Sequence, residues 1–362
     1  MNSLRDFWLK QHSRSEELPK SDPVLLRSDL YLSRNLRDLP FPERLSSAER
    51  REMSEKVAMG IRKMPAFRKS LFLDLGILSE DERLALQEWG YISSLDVARY
   101  EGSCLWLKDD GLASIWTGGH HHLCWHASRA GLCLDVLWKS LSRWASSLKD
   151  LDYAFSPIYG YLAADLEEWG HGLCASAVLY IPAIVENGLY EQTVMALRSL
   201  GLKWRAEYEY VALNLLPVVR IFYDDSLKCS PKEALRILKE AVLLVADREH
   251  NERNYFLQKQ KLKILDRVNR SWGMLLFCQL LSSPEALYYL FNLRLGVNFG
   301  WLSEEYASKI DHQARRLLSA SFRIYRGIEA SQREREDADR ARYVKEFIAL
   351  GKGPLAIIDH DL

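Results

Sequence analysis

The hydrophobic period of this chain changes once, and that change constrains the fold more than any other feature. As far as Tyr223 the apolar residues sit in short strand-like segments: CLWL at 104–107, a turn at Asp109-Asp110-Gly111, and LASIWT ending at Thr117, which together predict a hairpin. ASAVLYIP, the alternating KWRAEYEYVAL and PVVRIFY at 217–223 add further strands. From Ser230 onward Leu235, Leu238, Ala241, Val242 and Val245 recur at three- and four-residue spacing, the helical period, and no strand pattern clearly returns. Hairpins and alternation favour an antiparallel sheet with helices against it, so the fold class is α+β with an all-helical C-terminal domain. The expected division is an N-terminal extension at 1–20, an α+β domain at 21–250 and a helical domain at 251–362. Helix starts are marked by Ser46 with Glu49, Ser79 with Glu82, Ser230 with Glu233 behind Pro231, and Ser282 with Glu285.

Composition excludes several function classes. A chain of 362 residues with 48% apolar content and 11 tryptophans can bury a large core, which argues against disorder. Lys+Arg and Asp+Glu both number 49, so nothing global favours nucleic acid or an acidic membrane surface. Six cysteines with no Cys-x-x-Cys pair argue against a disulfide framework or zinc ribbon. With no signal-peptide-like N-terminus and no long apolar run, the expectation is a cytoplasmic protein without a membrane span. A phosphate-cradling P-loop is absent from the sequence.

The stretch GYLAADLEEWGHGLCASAVLYIPAI, Gly160 to Ile184, supplies a more specific signal, together with PVLLRSDLYLSRNLRDLPFP from Pro23, SIWTGGHHHL from Ser114, LGLKWRAEYEY from Leu200, ILDRVNRSWGML from Ile264 and LRLGVNFGWL from Leu293. In that order these segments resemble the bacterial protein-arginine kinases (McsB), relatives of the phosphagen kinases of the ATP:guanido phosphotransferase family. The resemblance runs from about residue 20 to 348. It implies a kinase core on a saddle-shaped antiparallel sheet, followed by a helical domain carrying homodimer contacts. It also implies transfer of the ATP γ-phosphate to a protein arginine, with Mg-ATP as cofactor if the chain is active and none otherwise.

Phosphoryl transfer through a loose transition state needs an arginine cage for the phosphates and carboxylates to orient and deprotonate the guanidinium. The resemblance places nucleotide-binding positions at Arg27, Ser28, Asp29, Leu30, Tyr31, Arg34, Leu123, Cys174, Ala175, Ser176, Arg205 and Tyr210, and most are degenerate. Asp29 and Tyr31 stand where the family has phosphate arginines, while Arg34 and Asn35 of that motif remain. The Asn-Glu-Glu-Asp-His run becomes Thr117, Gly118, Gly119, His120 and His121, with Leu123 at the next arginine position. Cys-Pro-Thr-Asn becomes Asp165, Leu166, Glu167 and Glu168, and another arginine becomes Cys174. Gly170, Gly172, Leu173, Ala175 and Ser176 persist. Arg205 matches a phosphate arginine, but Tyr210 occupies the second catalytic glutamate position, with Glu207 and Glu209 as nearby substitutes. The degenerate catalytic positions are therefore Gly118, Gly119, Asp165 and Tyr210.

Charge-assisted hydrogen bonds contribute about 1.5–3 kcal/mol each. Four lost arginines therefore remove about 6–12 kcal/mol, against about 8 kcal/mol for an entire micromolar interaction. The expectation is a pseudokinase that binds other proteins as an adaptor or regulator. The implied partners are a McsA-like zinc-binding activator and Clp protease components. One alternative is an active protein-arginine kinase using Glu207 or Glu209 as base, with Arg205 and Arg34 on phosphate. Another is a metal site at His120, His122, Asp165, Glu168 and His171, with His120 and His122 sharing one face of a strand and His121 pointing away. His126 is expected to be packed or hydrogen-bonded, and Cys104, Cys124 and Cys133 to be buried thiols. The family's Arg-Asp-x-x-Arg-Ala motif, which the resemblance implies reads phosphoarginine, is matched in part by Glu336, Asp337, Ala338, Asp339, Arg340 and Ala341. A charged helix burying Ala341, Val344, Phe347 and Ile348 is the simpler expectation there.

Overall fold

The computed structural model describes residues 3–13, 22–92, 100–208, 216–225 and 227–349. Strands β1 (Leu25–Arg34), β2 (Leu71–Asp74), β3 (Cys104–Leu107), β4 (Ala113–Thr117), β5 (Leu123–Ala130), β8 (Leu173–Tyr180), β9 (Lys203–Ala206) and β10 (Val218–Tyr223) form one sheet in the order β2-β3-β4-β5-β1-β8-β10-β9. Every neighbouring pair is antiparallel. β6 (Phe155–Ser156) and β7 (Gly160–Tyr161) make a separate small hairpin. The helices are α1 (Leu4–Ser13), α2 (Ser47–Lys63), α3 (Glu80–Glu88), α4 (Leu134–Ser146), α5 (Pro182–Glu186), α6 (Tyr190–Ser199), α7 (Pro231–Phe277), α8 (Ser283–Asn298), α9 (Glu305–Arg316), α10 (Ser319–Arg326) and α11 (Arg333–Ala349).

Three of the four expected capping boxes close in full: Ser46 with Glu49, Ser79 with Glu82 and Ser282 with Glu285 each exchange both hydrogen bonds. At α7, Ser230 accepts from the Glu233 amide, but the Glu233 carboxylate turns to Arg236 instead. This helix runs through the boundary expected at 250/251, and its regular geometry breaks at Gln260, where φ is −135° and ψ is 24°. Of the strand expected over KWRAEYEYVAL, Lys203–Ala206 is strand and Glu207 and Tyr208 turn away, while residues 209–213 lie outside the described residues. Glu209 and Tyr210 lie outside the described residues.

Period-two alternation gives the central strands two different faces. On one face Leu30, Leu32, Trp125, Ala175, Leu179, Val219 and Ile221 pack with α2, α4 and the first half of α7 into the main core. The other face is covered at its two ends. Over β2 and β3, Leu73, Leu105 and Leu107 meet α1, α3 and Ala320 of α10. Over the opposite flank Val178, Tyr180 and Val218 join the core of the C-terminal helices. The helical region is thus fastened onto the face that also carries Arg27, Asp29, Tyr31 and Ser33 of β1. Tyr180 Oη donates to the Phe291 carbonyl at 2.7 Å, and Arg294 Nη2 donates to the Asp22 carbonyl at 2.6 Å. Among the described residues no helix is long and apolar enough to cross a membrane.

Candidate functional site

Between these two covered flanks the second face carries polar residues on five elements. Arg27, Asp29 and Tyr31 project from β1, His126 from β5, Ser176 from β8 and Arg220 from β10, while Glu207 follows β9. Register brings them together, because Asp29 pairs with Ser176 and with Ser128, and Tyr31 with His126 and Cys174. Arg220 lies on the next strand over.

Four of these residues form a closed ion network. Arg27 Nε donates to both Asp29 oxygens at 3.1 and 2.9 Å, and its terminal nitrogen pairs with Glu207. Arg220 Nη1 donates to Asp29 Oδ2 at 2.8 Å and to Ser176 Oγ at 2.7 Å. Its Nε and Nη2 donate to the two Glu207 oxygens at 2.8 and 2.9 Å. Two guanidinium groups and two carboxylates therefore cancel. The side chains of Asp29, Arg220 and Glu207 are 2%, 8% and 9% exposed, so this neutrality is what makes their burial tolerable. Burial alone would raise both carboxyl pKa values, yet the flanking arginines hold Asp29 well below the usual carboxylate range and lower Glu207 as well.

Aromatic side chains close the space around the network. Tyr31 stacks on His126 with ring centroids 4.5 Å apart and donates to the Gly90 carbonyl at 2.8 Å. Burial keeps His126 neutral by lowering its pKa, with Asp29 only 3.5 Å away pulling in the other sense. Burial likewise pushes the Cys174 thiol up to about 12. Cys104 is raised to the same level for the same reason.

At the other end of the face two loops meet. Residues 118–122 turn between β4 and β5, and residues 162–172 link β7 to β8. Gly172 needs its glycine: its φ is +64°, and a Cβ there would lie 2.7 Å from the Ser33 carbonyl. Arg34 is consumed in holding this corner. Its Nη1 donates to the carbonyls of Ser33 at 2.6 Å and His171 at 3.0 Å, and its guanidinium lies 3.5 Å from the Tyr161 ring centre. Asn35 ties the loops together, accepting from the His122 amide at 2.9 Å and donating to the Leu162 carbonyl at 3.0 Å.

The histidines here sort differently from the sequence expectation. His122 is buried and fully used, taking the Leu36 amide on Nδ1 at 2.9 Å and donating from Nε2 to the Pro40 carbonyl at 2.9 Å. Burial lowers its pKa to about 4. It is His121 that joins His120. Their Nε2 atoms lie 3.5 and 3.0 Å from Glu168 Oε2, and His120 Nε2 is 3.5 Å from Asp165. The expectation failed because residues 118–122 form a turn, not strand, so period-two alternation does not apply. His171 turns back on its own loop, accepting from the Leu173 amide at 3.0 Å. For Glu167 only its place in the 3-10 turn Leu166–Glu168 is described.

Comparison with known proteins fits this architecture. Residues 52–252 match the model of the ATP:guanido phosphotransferase C-terminal catalytic domain, and residues 261–354 match that of the protein-arginine kinase McsB C-terminal domain. The chain belongs to the ATP:guanido phosphotransferase family. Within it, a protein-arginine kinase of Halothermothrix orenii is 30% identical over 350 residues, covering 95% of this chain and 98% of that protein. One from Clostridium acetobutylicum is 26% identical, covering 90% and 96%. Among solved structures, a lombricine kinase superposes with a TM-score of 0.56 at 18% identity, covering 65% of this chain and 70% of that one, which concerns the fold.

The family positions can now be placed on the two sheet faces. Asp29, Tyr31, Cys174 and Ser176 lie on the polar face, with Arg27. Leu30, Leu123 and Ala175 lie on the opposite one, inside the main core, and Ser28 is spent on a local hydrogen bond to the Gly131 carbonyl. The polar face of β5 is therefore carried here by His126, opposite Tyr31, and Cys124, opposite Ser33 and one position after the leucine that the family motif indicates. Arg205 is exposed on edge strand β9, near the Phe222 ring. Gly118 and Gly119 carry no side chain, and Asp165 faces His120. In the C-terminal helix Arg340 is buried against Glu336, Asp337 and the Leu281 carbonyl, while Asp339 pairs with Arg326 and Arg342. Ala341, Val344 and Ile348 are buried there, as expected of a packed amphipathic helix.

Proposed function

We propose that this member of the ATP:guanido phosphotransferase family is a pseudokinase, which acts in the cytoplasm by binding other proteins. The observation that carries the reading is the closed network of Arg27, Asp29, Glu207 and Arg220. A nucleoside triphosphate needs unpaired cations, whereas here both guanidinium groups of the network already hold carboxylates of the same chain. The residues present do not fit Mg-ATP. Asp29 stands where the family has a phosphate arginine, Tyr31 and Cys174 are neutral at neutral pH, and Arg34 is engaged with two carbonyls and Tyr161. Glu207 is poorly suited to serve as a general base, because two arginines stabilise its ionised form and lower its pKa.

The proposed partners follow from the family resemblance: a McsA-like activator and components of the Clp protease system, approached by a homodimer. Supporting this is retention of both family domains while the chemistry at the cage positions has changed. Titration calorimetry of Mg-ATP into the full chain and into Arg205→Ala is the test. The expected result is no binding by either protein at millimolar nucleotide. Sub-millimolar binding that Arg205→Ala abolishes would overturn the proposal and call for an assay of protein-arginine phosphorylation.

A further inference from the structure

The loop pair at the open end of the polar face presents a donor set that the pseudokinase reading leaves unused. His120, His121 and Glu168 each place one donor atom within 4.8 Å of the other two, and Asp165 approaches His120 to 3.5 Å. We propose that these residues form a binding site for a first-row transition-metal dication of the zinc type, with His120, His121 and Glu168 as ligands and Asp165 as the fourth side chain at its edge.

Two imidazoles and a carboxylate suit a borderline ion such as Zn²⁺, Co²⁺ or Ni²⁺ better than the all-oxygen shell preferred by Mg²⁺ or Ca²⁺. Both histidine Nε2 atoms already face one Glu168 oxygen, at 3.0 Å from His120 and 3.5 Å from His121, so an ion entering among them replaces the His120–Glu168 hydrogen bond with coordination. The carboxylates match the ion's charge.

Supporting groups hold the ligands in place. Buried Asn35 clamps the His122 amide and the Leu162 carbonyl, fixing both ligand-bearing loops from one side chain. Coordination through Nε2 of His121 puts its proton on Nδ1 and gives up only the long 3.4 Å approach of Asn35 Nδ2. Neighbouring His122 takes no part, since both its nitrogens are bonded within the fold. A bound ion would clamp the 118–122 turn to the 165–168 turn, independently of any nucleotide.

The full-length protein, stripped with chelator and free of nucleotide, is titrated with Co²⁺ and followed by visible ligand-field absorption, then challenged with Zn²⁺. One saturable equivalent that Zn²⁺ displaces is expected. His120→Ala and Glu168→Gln should each weaken it by at least 10–100-fold, the range typical of losing even a supporting group. His250→Ala, on the exposed surface of α7, should leave it unchanged. Both cluster positions are partly exposed, so neither variant endangers the fold. No saturable binding below millimolar Co²⁺, or binding that both cluster variants retain, would overturn the site.

Discussion

Replacing Asp29 by asparagine probes the buried ion network directly. The substitution keeps the side chain's shape but removes one negative charge, leaving Arg27 and Arg220 to share Glu207. Asp29 accepts from Arg27 at 2.9 Å and from Arg220 at 2.8 Å. An asparagine can supply one acceptor, while its amide hydrogens would face a guanidinium. Removing one partner of a buried pair costs about 3–5 kcal/mol, a large part of the 5–15 kcal/mol that holds a typical domain. Urea unfolding followed by circular dichroism should show a loss in that range for Asp29→Asn. The double variant Asp29→Asn with Arg220→Gln restores neutrality and should recover much of the loss, with a coupling energy above about 1 kcal/mol. Phosphate or sulfate at tens of millimolar should stabilise Asp29→Asn more than the parent, because only the variant has an uncompensated cation to offer. A loss under about 1 kcal/mol for Asp29→Asn, or strictly additive single losses, would refute the view that this network is a tightly coupled neutral unit.

Two further outcomes follow from the same structure. His126 and His171 have pKa values lowered by burial, the latter to about 4, whereas an unfolded histidine titrates near 6.5. Between those values the unfolded chain binds more protons, so stability should be complete above about pH 6.5 and fall as the pH drops, with a slope of up to about 1.4 kcal/mol per pH unit per histidine. Urea midpoints in chelator-treated buffer from pH 7.5 to 5 measure this, and a flat profile would contradict neutral burial. Separately, the Glu88 carboxylate caps α10 from outside, accepting from the amides of Ala320 at 3.1 Å and Ser321 at 2.7 Å. Glu88→Ala should cost about 1–2 kcal/mol, the usual worth of a lost cap, and an unchanged urea midpoint would show that α10 needs no cap from α3.

The sheet, the 104–117 hairpin and the helical C-terminal region were legible because they rest on local periodicity. Capping was legible for the same reason, needing only four residues. The sheet face of residue 123 was not. A one-residue shift exchanges the two faces of a strand, and the phase of β5 is set by how the 118–122 turn delivers the chain, which no local pattern records. The ion network was also hidden, since Asp29 and Arg220 are 191 positions apart. One signal did exist: Arg220 interrupts the otherwise apolar strand VVRIFY, and a buried charge in a strand demands an opposite partner.

The spatial arrangement explains why the altered residues weigh so heavily against nucleotide. In a phosphate site the counter-anion arrives with the ligand and leaves with it; here Asp29 and Glu207 are part of the fold and never dissociate. A triphosphate seeking Arg27 and Arg220 would have to displace both carboxylates, stranding them in a region under 10% exposed. Each unpaired buried charge costs several kcal/mol, so the displacement alone approaches or exceeds the roughly 8 kcal/mol of a micromolar complex. Restoring single arginines at positions 31 or 174 would not reverse this, because the obstacle is the pair of internal anions as well as the missing cations. The loop end of this face differs, because among the described residues Glu168 is approached by His120 and His121 and pairs with no arginine.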